Sequence, residues 1–254
     1  MSETVLNHAN RDEPWLVLGR HRFHSRLIVG IEQYTSAYVV GQVLLASGTE
    51  VFITTVDPDS QRSSLLLSDM TDVVPLDRFI WIGTTSFARS AASALKTATI
   101  LSESYGIRIM KLDVRNERNQ PDNAQTIQCA RELRAAGFEV LPFIYPVVED
   151  ALTLEDLGCC ALRLMAAPVA SGLGILEPDK IRAVIARCRV PVIVEGGLGT
   201  AAHAAGAMEL GASAVLVNTA LARACKPVHM ALAMRQAVEA GRRVYKARPM
   251  AIAS

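Results

Sequence analysis

Only five of the 254 residues are lysines, and one of them, Lys111, stands inside the apolar run Ile107-Arg-Ile-Met-Lys-Leu-Asp-Val114. Period-two alternation puts Ile107, Ile109, Lys111 and Asp113 on one face and Met110, Leu112 and Val114 on the other. Desolvation disfavours an ammonium ion, and the uncharged amine is the form that adds to a carbonyl to give an imine. A lysine among apolar neighbours is therefore a candidate Schiff-base residue. A buried structural ion pair with Asp113 accounts for the same spacing, and the pattern leaves both readings open. Lys96, Lys180, Lys226 and Lys246 fall in helix or loop stretches where solvated charge is expected.

A second group of residues lies in Val194-Glu195-Gly196-Gly197-Leu198-Gly199-Thr200, where an apolar run closes on a carboxylate and three glycines before an Ala-rich stretch. Glycines at the start of a helix let backbone N–H groups approach an anion, and the helix terminus adds partial positive charge. The next apolar run closes on Asn218, Thr219 and Ala220. Glu195 is either an acid/base partner for Lys111 or a rim carboxylate bonded to nearby N–H groups. Thr84, Thr85 and Ser86 could donate to a hydroxylated substrate or cap the following helix. Residues 168–174 (PVASGLG) read as a mobile or anion-binding turn, or as a plain turn.

Strands and helices in alternation must position these groups. Candidate strands begin near Arg26 (RLIVGI), Glu50 (EVFITTV), Phe79 (FIWIGTT), Ile107, Glu139 (EVLPFIYP), Ala161 (ALRLMAAP), Pro191 (PVIVEGG) and Ala214 (AVLVNTA). Helical spacing covers 86–105, 123–136, 179–188, 200–210 and 227–245, with Gly106, Gly137 and Gly211 at stop positions. Eight strands with helical crossovers in about 250 residues predict a single-domain (β/α)8 TIM barrel over residues 15–254, after a mobile leader over 1–14. A doubly wound sheet is the rival, but its glycine-rich turn belongs after the first strand, and here the turn follows the seventh. Gly19, between short β-type runs in 15–24, predicts a hairpin that plugs the barrel bottom. In a barrel, Lys111 and Asp113 lie near the catalytic mouth, and the ends of strands seven and eight form the usual phosphate site. Gly196, Gly197, Gly199, Asn218, Thr219 and Ala220 are thus expected to hold a phosphate in preference to serving as plain turns.

Composition narrows the function classes. With 26 Lys+Arg against 25 Asp+Glu and half the residues hydrophobic, neither disorder nor nucleic-acid binding is expected. Five scattered cysteines without CxxC spacing argue against a disulfide framework and a zinc site. His203 and His229 fall in helix candidates, Asp57 and Asp59 follow strand two, and no grouping has metal-ligand spacing. No apolar run reaches the roughly 18 residues of a spanning helix and the N-terminus lacks a signal-peptide core, so a cytoplasmic protein away from membranes is expected.

Lys111-Leu-Asp113, Glu195-Gly-Gly-Leu-Gly199, Gly211-Ala-Ser-Ala-Val-Leu-Val-Asn-Thr-Ala220 and Ser25-Arg-Leu27 together resemble the thiazole synthases of thiamin biosynthesis, from about residue 15 to about 240. The resemblance implies a (β/α)8 barrel, a homo-oligomer, and sulfur delivered by the C-terminal thiocarboxylate of a small ubiquitin-like sulfur-carrier protein. It also implies an imine between Lys111 and a sugar phosphate, with proton transfer by Asp113 and Glu195.

The departures cluster at strand ends. The family has Lys-Leu-Glu where this chain has Lys-Leu-Asp113, and aspartate where it has Glu195, so each carboxylate moves by about one methylene, a displacement that matters for catalytic geometry. The family's Ala-(Leu/Ile/Met)-Arg-Arg becomes Thr54-Thr-Val-Asp57, Asn-Thr-Ala-Gly becomes Thr84-Thr-Ser-Phe87, and Pro-Leu-Gly-Ser-Pro-Ile-Gly becomes Leu164-Met-Ala-Ala-Pro-Val-Ala170. Retained lysine and phosphate loops with altered strand ends resemble the 2-thiosugar synthases of thiosugar-antibiotic biosynthesis. That branch implies a hexose phosphate such as glucose 6-phosphate, a C2 ketone formed through the lysine, and no metal or organic cofactor. An ordinary thiazole synthase using 1-deoxy-D-xylulose 5-phosphate and dehydroglycine is the alternative. A sulfur-independent aldolase or isomerase and a non-catalytic carrier-binding scaffold are the readings from other classes.

Overall fold

The computed structural model describes residues 13–57, 62–63, 70–86, 88–248 and 250. Most of the leader expected over 1–14, together with Asp59 and Phe87, lies outside these residues. Twelve strands are described: β1 Leu16–Leu18, β2 His21–Phe23, β3 Leu27–Val29, β4 Val51–Thr54, β5 Val56–Asp57, β6 Arg62–Ser63, β7 Ile80–Thr84, β8 Ile109–Leu112, β9 Glu139–Ile144, β10 Leu162–Met165, β11 Val192–Glu195 and β12 Ala214–Val217. Eight of them form one parallel sheet in the order β3-β12-β11-β10-β9-β8-β7-β4, a nearly closed (β/α)8 TIM barrel. These eight are the candidate strands of the sequence, so β8 is the fourth, β11 the seventh and β12 the eighth.

Local chemistry sets the helix ends. The side chains of Ser36, Ser90, Asp122 and Thr200 accept the N–H groups of Val39, Ser93, Gln125 and His203 at the starts of Ala37–Ser47, Ala91–Tyr105, Asn123–Ala135 and Ala201–Glu209. Gly106 ends Ala91–Tyr105 in the left-handed region at φ 66°. The start expected at residue 86 is displaced to Ala91. The Ser86 hydroxyl instead bonds the Asp113 carboxylate, and the Arg115 N–H donates to the Ala88 carbonyl, which holds this stretch outside the helix.

The barrel has two apolar layers. Met110, Leu112 and Val114 face outward among the helices, as alternation predicts. Ile107 belongs to that outer layer as well, because it precedes β8 and escapes the strand's alternation. Inside, Ile28, Ile53, Ile82, Ile109, Leu141 and Ile193 pack with Trp15, Leu16, Leu18 and Phe23 of the antiparallel β1–β2 hairpin. The hairpin closes the foot of the barrel, and the Trp15 indole N–H is satisfied by the Ser25 carbonyl at 3.0 Å. Above this apolar plug the inward positions become polar. No helix among the described residues is long and apolar enough to cross a membrane.

Candidate active site

Above Ile109 on the inward face of β8 come Lys111, 5% exposed, and Asp113 just beyond the strand, fully buried. Lys111 Nζ lies 2.9 Å from Asp113 Oδ2 and within 3.4 Å of Ser86 Oγ. Arg115 Nη2 reaches the same carboxylate oxygen at 2.9 Å, and Ser86 Oγ donates to it at 3.1 Å. The other oxygen, Oδ1, accepts from Arg163 Nη2 at 2.5 Å. Burial alone would raise the Asp113 pKa; the charges of Arg163, Lys111 and Arg115 outweigh it and hold the carboxyl well below the usual carboxylate range.

Arg163 joins the two acids, a role that the motifs of the sequence do not indicate. It lies on β10, 1% exposed, with its guanidinium donating to Glu195 Oε1 at 2.7 Å and Oε2 at 3.1 Å and to the Leu141 carbonyl at 3.0 Å. Burial opposes its charge, but the carboxylates of Asp113 and Glu195 reverse that and raise its pKa above the ordinary arginine value. The signal was available: in Ala161-Leu-Arg-Leu-Met165, alternation sets Arg163 on the inward face, as it does Lys111. Among the described residues the barrel interior sets Lys111, Arg115 and Arg163 against Asp113 and Glu195.

A cavity of about 790 Å³ opens at this end of the barrel, with Lys111, Ser86, Arg115 and Glu195 on its wall. Gly196, Gly197, Gly199, Asn218, Thr219 and Ala220 all line it, as do Glu32, Gln33, Arg89 and Arg223, which the sequence reading had not selected. Asp113 does not line it. It lies behind Lys111, which separates its place from that of Glu195.

Thr84 and Thr85 do not cap the helix that follows, whose cap is Ser90. Both are buried, off the cavity, with the Thr84 hydroxyl 2.8 Å from that of Ser86. The Thr85 hydroxyl donates to the Asp113 carbonyl and accepts its N–H, both at 2.8 Å, which fastens β7 to the end of β8.

The glycines after β11 also answer to packing. Gly196 and Gly197 have φ of 79° and 68°, and a Cβ on Gly197 would stand 2.4 Å from the Ala167 Cβ. A Cβ on Gly199 would lie 2.8 Å from the Gly172 Cα, and the Gly199 N–H is taken by His203 Nδ1 at 3.1 Å. Residues 168–174 lie against this loop, and Val169, Ala170, Ser171 and Gly172 complete the wall. The Asn218 side chain donates to Glu32 Oε2 at 2.5 Å, so its amide nitrogen is occupied by a carboxylate. Among the described residues no cluster of His, Cys, Asp and Glu side chains could hold a metal ion.

The family model for the thiazole biosynthesis protein ThiG matches residues 17–254. The chain belongs to the thiazole synthase family. It is 38% identical to the thiazole synthase of Maricaulis maris over 96% of this chain and 91% of that protein, and 39% identical to that of Myxococcus xanthus over 93% and 91%. Among solved structures, a chain of the Amycolatopsis orientalis BexX/CysO complex superposes with a TM-score of 0.93 at 60% identity, covering 96% of this chain and all of that one. In this thiazole synthase family member the cavity at the barrel mouth carries Lys111, Glu195 and the glycine loop, with Asp113 buried behind the lysine.

Proposed function

We propose that this member of the family makes a 2-thiosugar phosphate, with glucose 6-phosphate as substrate and Lys111 as the Schiff-base residue. The observation that carries the reading is the place of the Lys111 amine: nearly buried on the wall of a 790 Å³ cavity, beside Ser86 and with Glu195 on the same wall. Once its proton is passed on, an amine held there can add to an aldehyde brought into the cavity. The 60% identity to a chain of the BexX/CysO complex, against 38% and 39% to the thiazole synthases above, supports a branch distinct from the vitamin pathway.

In this scheme the amine condenses with the C1 aldehyde and releases water. A proton leaves C2 and one arrives at C1, which converts the imine into an amino ketone with its carbonyl at C2. The thiocarboxylate sulfur of a small ubiquitin-like carrier protein adds to that carbonyl; loss of the C2 oxygen as water, with a proton from C1, gives an enamine, and protonation at C2 restores the C1 imine. Hydrolysis of the acyl–sulfur bond and of the C1 imine frees the product, the carrier carboxylate and the lysine. Sulfur replaces oxygen at C2 and oxygen replaces sulfur on the carrier, so no external oxidant, reductant, metal or organic cofactor is needed. Glu195, on the cavity wall, moves the protons; Asp113, buried and held ionised by three cations, keeps Lys111 in place. That the related chain occurs in a complex of BexX with CysO supports a protein partner for this reading. A cytoplasmic homo-oligomer is part of the same proposal.

A thiazole phosphate synthase acting on 1-deoxy-D-xylulose 5-phosphate and dehydroglycine is the second reading, favoured by the names of the curated relatives. Borohydride trapping, read by intact mass, separates the two. An adduct with glucose 6-phosphate that is absent from Lys111→Ala supports the thiosugar reading, whereas one with the deoxypentulose phosphate alone supports thiazole synthesis. An adduct that turns over without a thiocarboxylated carrier points to an aldolase or isomerase, and carrier binding with no adduct for any sugar phosphate points to a scaffold.

A further inference from the structure

We propose that Glu32 and Asn218 form a hydroxyl-reading subsite that selects a polyol phosphate over shorter phosphates; the inference rests on the sugar-phosphate reading above. Glu32 follows β3 and Asn218 follows β12, neighbouring strands that pair at Val29 and Val217. Their side chains meet at 2.5 Å, and Gln33 Nε2 donates to Thr219 Oγ1 at 2.9 Å alongside. The contact depends on glycine at position 30, where a Cβ would stand 2.8 Å from Glu32 Oε2 and 3.0 Å from the Asn218 Cβ.

Because the Asn218 nitrogen points at a carboxylate, its other amide atom must be the acceptor Oδ1, and that oxygen is shut off from solvent with no hydrogen-bond partner among the described residues. Closed to solvent, that oxygen is also closed to a ligand in the cavity, so the Asn218 amide serves to hold the Glu32 carboxylate in position. The carboxylate of Glu32 supplies the acceptor capacity on this stretch of wall. Acceptors and negative charge suit the O–H groups of a sugar and disfavour phosphate oxygens. This end of the cavity therefore reads hydroxyls, and the phosphate falls where Ser171 and Arg223 bring donors to the wall.

Glucitol 6-phosphate has the hydroxyls and phosphate of the hexose but no carbonyl, so its binding, measured by calorimetry, reads the subsite without any imine. The full-length wild-type protein is expected to bind it at least about ten-fold more tightly than inorganic phosphate. Glu32→Ala and Asn218→Ala are expected to weaken glucitol 6-phosphate by about ten-fold and leave inorganic phosphate within about two-fold. Glu32→Gln keeps the side chain's shape and is expected to give an intermediate loss. Equal binding of the two ligands by wild type, or equal weakening of both in all three variants, overturns the subsite. A wild-type protein that binds glucitol 6-phosphate selectively yet traps no sugar phosphate with borohydride keeps the subsite and sinks the Schiff-base step.

Discussion

Arg163 and Glu195 form a two-point ion pair inside the barrel, Nη2 to Oε1 at 2.7 Å and Nε to Oε2 at 3.1 Å. The same Nη2 also reaches Asp113, so one buried guanidinium joins the acids that follow β8 and end β11. Removing one member of such a group leaves uncompensated buried charge. Arg163→Met is therefore expected to lose about 3–5 kcal/mol of stability, and Arg163→Lys less, because an ammonium keeps charge but cannot reproduce the fork. Urea unfolding measures both; a Met variant as stable as wild type would show that the pair is dispensable to the fold.

Asp113 also sets a pH dependence. Its folded pKa lies well below its unfolded value, so it binds fewer protons in the native state. Its contribution to stability is complete above the unfolded value near pH 4 and is lost as pH falls through the folded one. Unfolding free energies measured from pH 6 down to pH 2.5 should fall on the acid side. Asp113→Asn should be less stable at pH 6 and show a shallower decline, and an unchanged slope in that variant would remove Asp113 as its source.

Gly197→Ala tests the loop after β11. The new methyl group would sit 2.4 Å from the Ala167 Cβ in a left-handed conformation at φ 68°, so both strain and a clash oppose it. A loss of about 1–3 kcal/mol is expected from the conformation alone. Calorimetric affinity for inorganic phosphate should fall with it, since the loop cannot keep its course across the cavity wall. Wild-type stability and affinity in the variant would mean that the loop can shift without consequence.

Thiol reactivity should divide sharply. Burial pushes Cys129, Cys159 and Cys160 up to about 12, whereas Cys225 is exposed. Brief treatment of the native protein with iodoacetamide at pH 8 should label Cys225 ahead of the other cysteines. Peptide mass mapping that finds Cys159 labelled as fast would contradict the packing of that segment.

Periodicity made the eight barrel strands legible, and the Gly19 hairpin too, because alternation and turn residues are local properties of the chain. The start of Ala91–Tyr105 was misplaced because the residues that resembled its cap, Thr84 to Ser86, have long-range partners at Asp113 and Lys111. Glycines 196, 197 and 199 read as a phosphate cradle, and the structure adds that Ala167 and Gly172 leave no room for side chains at 197 and 199.

The sequence by itself determined the barrel, its orientation, and the presence of Lys111, Asp113 and Glu195 at its mouth, since inward and outward faces follow from strand period. Only the tertiary structure decided which groups share a proton environment. Arg163 meets Asp113 across 50 residues of chain and Glu195 across 32, and Glu32 meets Asn218 across 186. Such contacts depend on barrel closure, which brings side chains from separate strands within hydrogen-bonding distance where their charges are shielded from water. That shielding is also why Asp113, although chemically an acid like Glu195, became a buried anchor while Glu195 kept access to the cavity.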